Sequence, residues 1–313
     1  MRWSTANARW NAPEGMRRAY VNASTSRVSF KRHERYVRDA LRATCGPLRV
    51  EQLSAKFASR ASSSVASEDE TNDARAGVGD VANRARAHTT TEVWSSSRLR
   101  RVRATYVDGG EGVQIFNCVA YPSPRAHDAP LFGVDLISLG SGRKRKVLIG
   151  VDLQPTCRDA SYAAAYEPGL MKLRDGRLKS HALALGATTP STKFYEDARF
   201  FSKGMFFARP TGASEDIMAL SLDVVRAYFD AWISRLDEAE REAEAMDGAC
   251  KFGLSLEDVR RCVLTETTAR AGQDAHDAWQ LEHDPAIGMF TSWYGEEWSR
   301  EFAETVLFPG PRA

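Results

Sequence analysis

The sequence predicts an α/β chain built as an antiparallel sheet with helices on its faces, either an α+β fold or an α/β/α sandwich. Three observations carry that reading. Between residues 97 and 154, short apolar runs alternate with turn residues and no helical pattern separates them, which favours a meander over β-α-β crossovers. Residues 30–57 show apolar side chains at helical spacing around a Gly46-Pro47 break. The C-terminal third carries amphipathic periodicity.

Taken in order, "FKRHERYVRDALRATCGPLRVEQLSAKF" (30–57) reads as a helix, a break, and a shorter helical or extended piece, through Tyr36, Leu41, Leu48, Leu53 and Phe57. Residues 59–90 hold only three valines among Ala, Ser, Asp and Arg. They are expected to form a flexible insertion, because so little apolar surface cannot offset the entropy of ordering. "RLRRVRATYV" before Asp108-Gly109-Gly110 and "VQIFNCVAY" before Pro122 read as strands. "LFGVDLIS" and "KVLIGVDLQP" flank "LGSGRKR" as an antiparallel hairpin, and "RFFSKGMFFARP" (199–210) reads as one more strand. Ser214 is placed to cap a helix carrying Met218, Val225, Tyr228, Phe229, Trp232 and Leu236, continued by an acidic solvated stretch. Ser255 opens a capping-box-like start for a helix through Val259, Val263 and Thr267, and a last helix holds Trp298, Phe302 and Val306.

Composition bounds the function classes. The net charge of +2 gives no global signal for nucleic acid, and no apolar run approaches the roughly 18 residues that span a bilayer. Five cysteines without a C-x-x-C pair suit a reducing compartment and supply neither a disulfide framework nor a cluster site. His276 and His283 lie seven apart with no third ligand. Gly140-Ser141-Gly142 leads into a basic run and a strand rather than a helix, so phosphate-loop and Rossmann readings lack their context. Residues 1–31 carry six basic residues against Glu14, with scattered Ser and Thr and no apolar core. This is the composition of an organelle transit peptide, or else of a basic tail. Residues 32–313 then form a single domain.

Polar residues inside apolar strands are the candidate chemistry. GVDL occurs twice, placing Asp135 and Asp152 in the two arms of the hairpin. With the turn centred near residues 140–142, Asp135 is expected to face about residue 148 and Asp152 about residue 131, at different ends of the ribbon. Asp152 precedes a strand end and reads as a structural cap. Asp135 is mid-strand, where a buried carboxyl is either structural or a proton donor with a raised pKa. Asn117 sits within "VQIFNCVAY", where an amide commonly satisfies backbone groups. Asp284 precedes Pro285, an ordinary turn.

Taken together, "VQIFNCVAYPSPRAHDAPLFGVDL", "VDLQP", "EHDPAIGMFTSWYGEEW" and "VLFP" resemble, in order and approximate spacing, the ferredoxin-dependent bilin reductases. The likeness runs from about residue 92 to 309. "GVDL", the basic turn "GSGRKRK" and Asn117, where the phycocyanobilin-forming branch typically has histidine, look like the branch acting on the 15,16 methine bridge.

The resemblance implies a three-layer α/β/α sandwich with a central antiparallel sheet, and a bilin pocket between the sheet and the C-terminal helices. It implies reduction of biliverdin IXα to its 15,16-dihydro form by sequential single electrons from the [2Fe-2S] centre of ferredoxin, with no cofactor tightly bound to the chain itself and no metal. A-ring or four-electron reduction, giving phytochromobilin or phycoerythrobilin, is the alternative, and a non-catalytic bilin carrier is another. Asp135 matches the family's proton-donating aspartate, Asn117 a substrate-binding pocket position beside it, and Asp284 a second aspartate. His283 departs from the asparagine, arginine or lysine commoner before that aspartate. Arg143, Lys144, Arg145 and Lys146 form either a docking patch for acidic ferredoxin or a solvated turn. The expected setting is the chloroplast stroma. The expected state is a monomer that hands its product to a second bilin reductase, without nucleic acid or membrane.

Overall fold

The computed structural model describes residues 28–62, 87–190, 194–210, 212, 214–252 and 263–310. The transit reading of residues 1–31 falls almost wholly outside them, as does the Ser255 cap. Helix α1 (Lys31–Cys45) turns His33, Tyr36, Val37, Ala40, Leu41 and Cys45 inward, a stripe spaced three and four residues apart. It stops at Gly46, whose φ of +81° suits glycine. The chain then forms β1 (Arg49–Val50), the short α2 (Ala55–Ala58) and β2 (Ser59–Ala61).

A meander follows: β3 (His88–Ser95), β4 (Leu99–Asp108), β5 (Val113–Pro122), β6 (Leu131–Leu139) and β7 (Lys146–Gln154). Helices α3 (Ala160–Lys172) and α4 (Lys179–Leu185) lead to β8 (Phe206–Ala208), the far edge of the sheet. All strand pairs are antiparallel, in the order β1-β3-β4-β5-β6-β7-β8, with β2 also paired to β3. The long α5 (Glu215–Phe252), then α6 (Glu266–His283), α7 (Ala286–Tyr294) and α8 (Glu296–Phe302) complete the chain.

Helices cover both sheet faces. One face presents Val102, Ala104, Tyr106, Phe116, Cys118, Phe132, Val134 and Leu136 to α1 and α5, forming the main core. On α5 the buried residues Met218, Leu222, Val225, Phe229, Trp232, Leu236 and Ala239 form a continuous seam. Trp232 stacks on Phe132 at 5.4 Å and donates its indole N–H to the Pro130 carbonyl at 2.9 Å. The opposite face carries the alternate residues, as strand geometry requires, and is covered by α6–α8.

Four expectations change. Strand β3 draws His88–Thr90 out of the expected insertion, its β-branched threonines pairing along β4, and β2 takes Ser59–Ala61 and pairs with β3. The strand expected over 199–210 shrinks to Phe206–Ala208. Upstream, its backbone groups are taken by side chains instead: Tyr228 donates to the Gly204 carbonyl and Arg174 to those of Lys203 and Met205. Helix α6 starts at Glu266, capped by a Thr265–Thr268 box, while Asp128 accepts from the amides of Val263 and Leu264, so Val263 lies outside it. Helices α3 and α4 overturn no expectation; they fill a stretch for which the sequence predicts no element.

The hairpin register is the fourth. A 3-10 turn at Gly142–Lys144 moves the centre of the connection toward β7, so Asp135 faces Gly150 and Asp152 faces Gly133. The two GVDL copies therefore pair with each other, glycine opposite aspartate both times. The carboxylates are not at different ends of the ribbon; they are diagonal neighbours on one face. Space is tight at both glycines. A Cβ at Gly133 would come within 2.8 Å of Gln154, and one at Gly150 within 3.1 Å of Met205.

Candidate active site

Between the second sheet face and the helices lies a cavity of about 570 Å³. Its floor is the alternating set of Arg103, Thr105, Asn117, Asp135 and Asp152 with Ile115, Val119 and Ile137. Residues 194–205 supply a side wall of Phe194, Tyr195, Phe201 and Met205, and the α6–α7 junction supplies Gln280, Asp284, Met289 and Phe290. An apolar cavity with few convergent polar groups is the usual form of a small-molecule site.

Three of the residues singled out from sequence meet here. Asn117 sits directly across the β5–β6 pair from Asp135, and its Nδ2 donates to Asp135 Oδ1 at 3.3 Å. Asp284 closes α6 from the facing wall and accepts from the Ala286 amide at 2.8 Å. It is thus both the turn residue that Pro285 implies and a cavity-lining carboxyl. Asp135 is half-buried and lines the cavity.

Burial pushes the Asp135 carboxyl above the ordinary carboxylate range, against hydrogen bonds from Tyr195 and Asn117 and the charge of Arg103, which favour the ionised form. Burial likewise raises Asp284 to about 6, with the Asp135 charge adding to the effect. Asp152 is pushed up to about 7 by burial. It accepts from the Ser202 amide at 2.8 Å and from the Ser202 hydroxyl. It therefore ties the side wall to the sheet, rather than capping the turn after its own strand.

Two residues were missed. Arg103 is buried and donates from Nη1 to Asn117 Oδ1 at 2.7 Å; an arginine within the apolar β4 run was its available signal. Tyr195 donates its hydroxyl to Asp135 Oδ2. It belongs to an irregular segment, so no periodicity could have placed it. His283 stacks on Trp279 at 4.9 Å and does not line the cavity. His276 is wholly buried against Tyr121 and Phe200. In the basic turn, Lys144 and Lys146 are exposed. Arg145 donates to the carbonyls of Gly140 and Glu111, and so serves the turn itself. The side chain of Arg143 lies outside the described residues. Among the described residues, no group of three or more His, Cys, Asp or Glu is arranged to hold a metal ion.

A cavity of this size with buried carboxyl groups on its walls suits an enzyme acting on a bulky small molecule, and sequence comparison gives its family. Residues 57–309 match the ferredoxin-dependent bilin reductase family, and the chain belongs to it. It is an oxidoreductase that takes electrons from ferredoxin and reduces a bilin. The chain is 34% identical over 232 residues to a 15,16-dihydrobiliverdin:ferredoxin oxidoreductase from Gloeobacter violaceus, covering 73% of this chain and 82% of the relative. It is also 34% identical over 226 residues to a phycoerythrobilin:ferredoxin oxidoreductase from the same organism, covering 70% and 78%. The crystal structure of tomato phytochromobilin synthase in complex with biliverdin shares the fold, with a TM-score of 0.61 at 19% identity, covering 88% of this chain and 82% of that one.

Proposed function

We propose that this protein reduces the 15,16 methine bridge of biliverdin IXα to 15,16-dihydrobiliverdin. The observation that carries the chemistry is the Asp135–Asn117 pair at the floor of a largely apolar cavity, with Asp284 facing it. Saturating one double bond takes two electrons and two protons. Ferredoxin delivers electrons singly, so protons must be supplied at fixed positions while the cavity walls keep bulk water from the odd-electron bilin. Asp135, whose protonated form burial favours, gives a proton; Asn117 hydrogen-bonds the pyrrole or lactam system; Asp284 is the second acid.

Several relatives carrying the 15,16-dihydrobiliverdin name, including those from Gloeobacter violaceus and Nostoc punctiforme at 34% identity, support the choice of bond. A second reading, reduction at the A ring or in two successive steps, is favoured by the equal identity to the phycoerythrobilin-named relative. Anaerobic incubation with reduced ferredoxin and biliverdin separates them. A blue-shifted product with an intact A-ring vinyl group supports the first reading. Phytochromobilin or phycoerythrobilin overturns it, and an unchanging biliverdin spectrum would make the protein a carrier.

Lys146 pairs across the hairpin with Leu139, which lines the cavity, and it and Lys144 in the adjoining turn are exposed and suit an acidic ferredoxin. We further propose that the protein works as a monomer in the chloroplast stroma, with residues 1–31 as its transit peptide and 32–313 as a single domain, and passes its product to a second bilin reductase. The Arg-rich, acid-poor N-terminus supports the location. Incubating the full chain with isolated chloroplasts tests it: a shortened, protease-protected product is expected, and an unprocessed chain left outside refutes it.

A further inference from the structure

Arg103, Asn117, Asp135 and Tyr195 form one continuous hydrogen-bonded row across β4, β5, β6 and the side wall. The order of donors along it follows from Arg103. A guanidinium has only donors, so the Asn117 amide must turn its oxygen toward Arg103 and therefore its NH₂ toward Asp135 Oδ1. In a protonated carboxyl the carbonyl oxygen is the better acceptor, so the N–H of Asn117 favours Oδ1 as the carbonyl and Oδ2, which faces the Tyr195 hydroxyl, as the oxygen that carries the acid hydrogen.

We propose that Arg103 and Tyr195 are positioning residues that hold the transferable proton of Asp135 on Oδ2, Arg103 by locking the Asn117 amide and Tyr195 by pairing with Oδ2 in both protonation states. This rests on Asp135 as the proton donor. Before transfer, the Asp135 O–H donates to Tyr195 Oη. As transfer occurs, that O–H bond breaks and a new bond to hydrogen forms on the bilin. The charge is balanced by an electron from ferredoxin. The Tyr195 hydroxyl then rotates and donates to the carboxylate that remains. A hydroxyl does both jobs through one oxygen by rotating its hydrogen; a guanidinium, which only donates, cannot.

The surroundings agree. Arg103 leaves its Nε without a partner among the described residues and lies over the Phe308 ring, so its fork is aimed by packing as well as by Asn117. Tyr195 is held among Phe194, Phe201 and Phe207. The charged and titratable groups bearing on Asp135 are Arg103 from β4, Asp284 from α6 and Tyr195 from the wall, with Asp152 beside it on β7. Removing either donor takes away an influence that favours the carboxylate, so Asp135 should hold its proton to higher pH.

The test is infrared difference spectroscopy of the carboxyl C=O stretch, titrated on the whole protein from about pH 5 to about pH 9, with Asp135→Asn identifying the band. Tyr195→Phe should move the band and shift its titration upward. It should also lower kcat about tenfold while leaving bilin affinity within about threefold. Arg103→Met should also move the band, whereas Arg103→Lys, again donor-only, should leave it in place. A band unmoved in Tyr195→Phe or Arg103→Met overturns the proposal, as does the absence of any Asp135-dependent band. The near-isosteric Tyr195→Phe keeps the test available if Arg103→Met fails to fold. Wild-type turnover by Asp135→Asn would instead remove the donor role of Asp135, a result independent of where the band lies.

Discussion

Phe132 and Asp135 are three residues apart on β6 and face opposite sides of the same sheet. Behind Phe132 the packing is dry and closed, with Trp232 and Phe229 in ring contact. In front of Asp135 there is a cavity and a row of polar groups that satisfy one another. One face gains its free energy from apolar burial. The other gives some of that up by placing Arg103, Asn117, Asp135 and Asp152 where hydrophobes would stabilise more. The strands are thus shared between stability and chemistry by alternation alone, and substitutions on the two faces should have separable consequences.

The largest effect is expected on the closed face. Phe132→Ala should cost about 3–5 kcal/mol of stability, measured by urea or thermal unfolding. A loss below about 1 kcal/mol would show that this face is not the closed core described. On the open face, Asp135→Asn should leave the unfolding midpoint near wild type and bilin binding intact. Turnover with reduced ferredoxin should fall about a hundredfold, the scale of a lost general acid. A large drop in stability with turnover preserved would reverse the comparison.

The pH dependence comes from the open face as well. Asp152 holds its proton up to about 7 in the folded protein, whereas an unfolded aspartate releases it near 3.9. Between those values the native state binds more protons, so this group makes stability fall as pH rises. Asp284, raised to about 6, acts in the same direction over a narrower window. Asp152→Asn should flatten the decline in unfolding free energy between about pH 4 and about pH 7. Parallel curves for wild type and variant would discount the raised carboxyl. The smallest effect belongs to the rim. Lys144→Glu with Lys146→Glu should raise the KM for ferredoxin a few-fold at low salt and leave stability unchanged. Insensitivity of that KM to both charge and salt would place docking elsewhere.

Much of this division was legible in the sequence. Apolar runs with period two, the turns at Asp108 and Gly140, and the α1 stripe are local patterns, and local patterns specify elements. Asn117 and Asp135 stood out because a polar residue inside a strand is costly and needs a reason. Strand β3 was missed because its threonines look polar in composition yet behave as β-branched strand formers. The 199–210 strand was over-read because "RFFSKGMFFARP" is apolar enough for a strand, while the side chains that capture its backbone are Tyr228 on α5 and Arg174 just beyond α3.

The sequence by itself determined the alternation along each strand, the antiparallel meander, the helices either side of it, and the family likeness that set Asn117 beside Asp135. Only the tertiary structure decided the register that pairs each GVDL aspartate with the other copy's glycine, because a short helical turn within the connection shifts every pairing across it. It also decided that Asp152 anchors the wall and that Tyr195 reaches Asp135 from 60 residues away. Such contacts join residues distant in the chain, and no local periodicity encodes them.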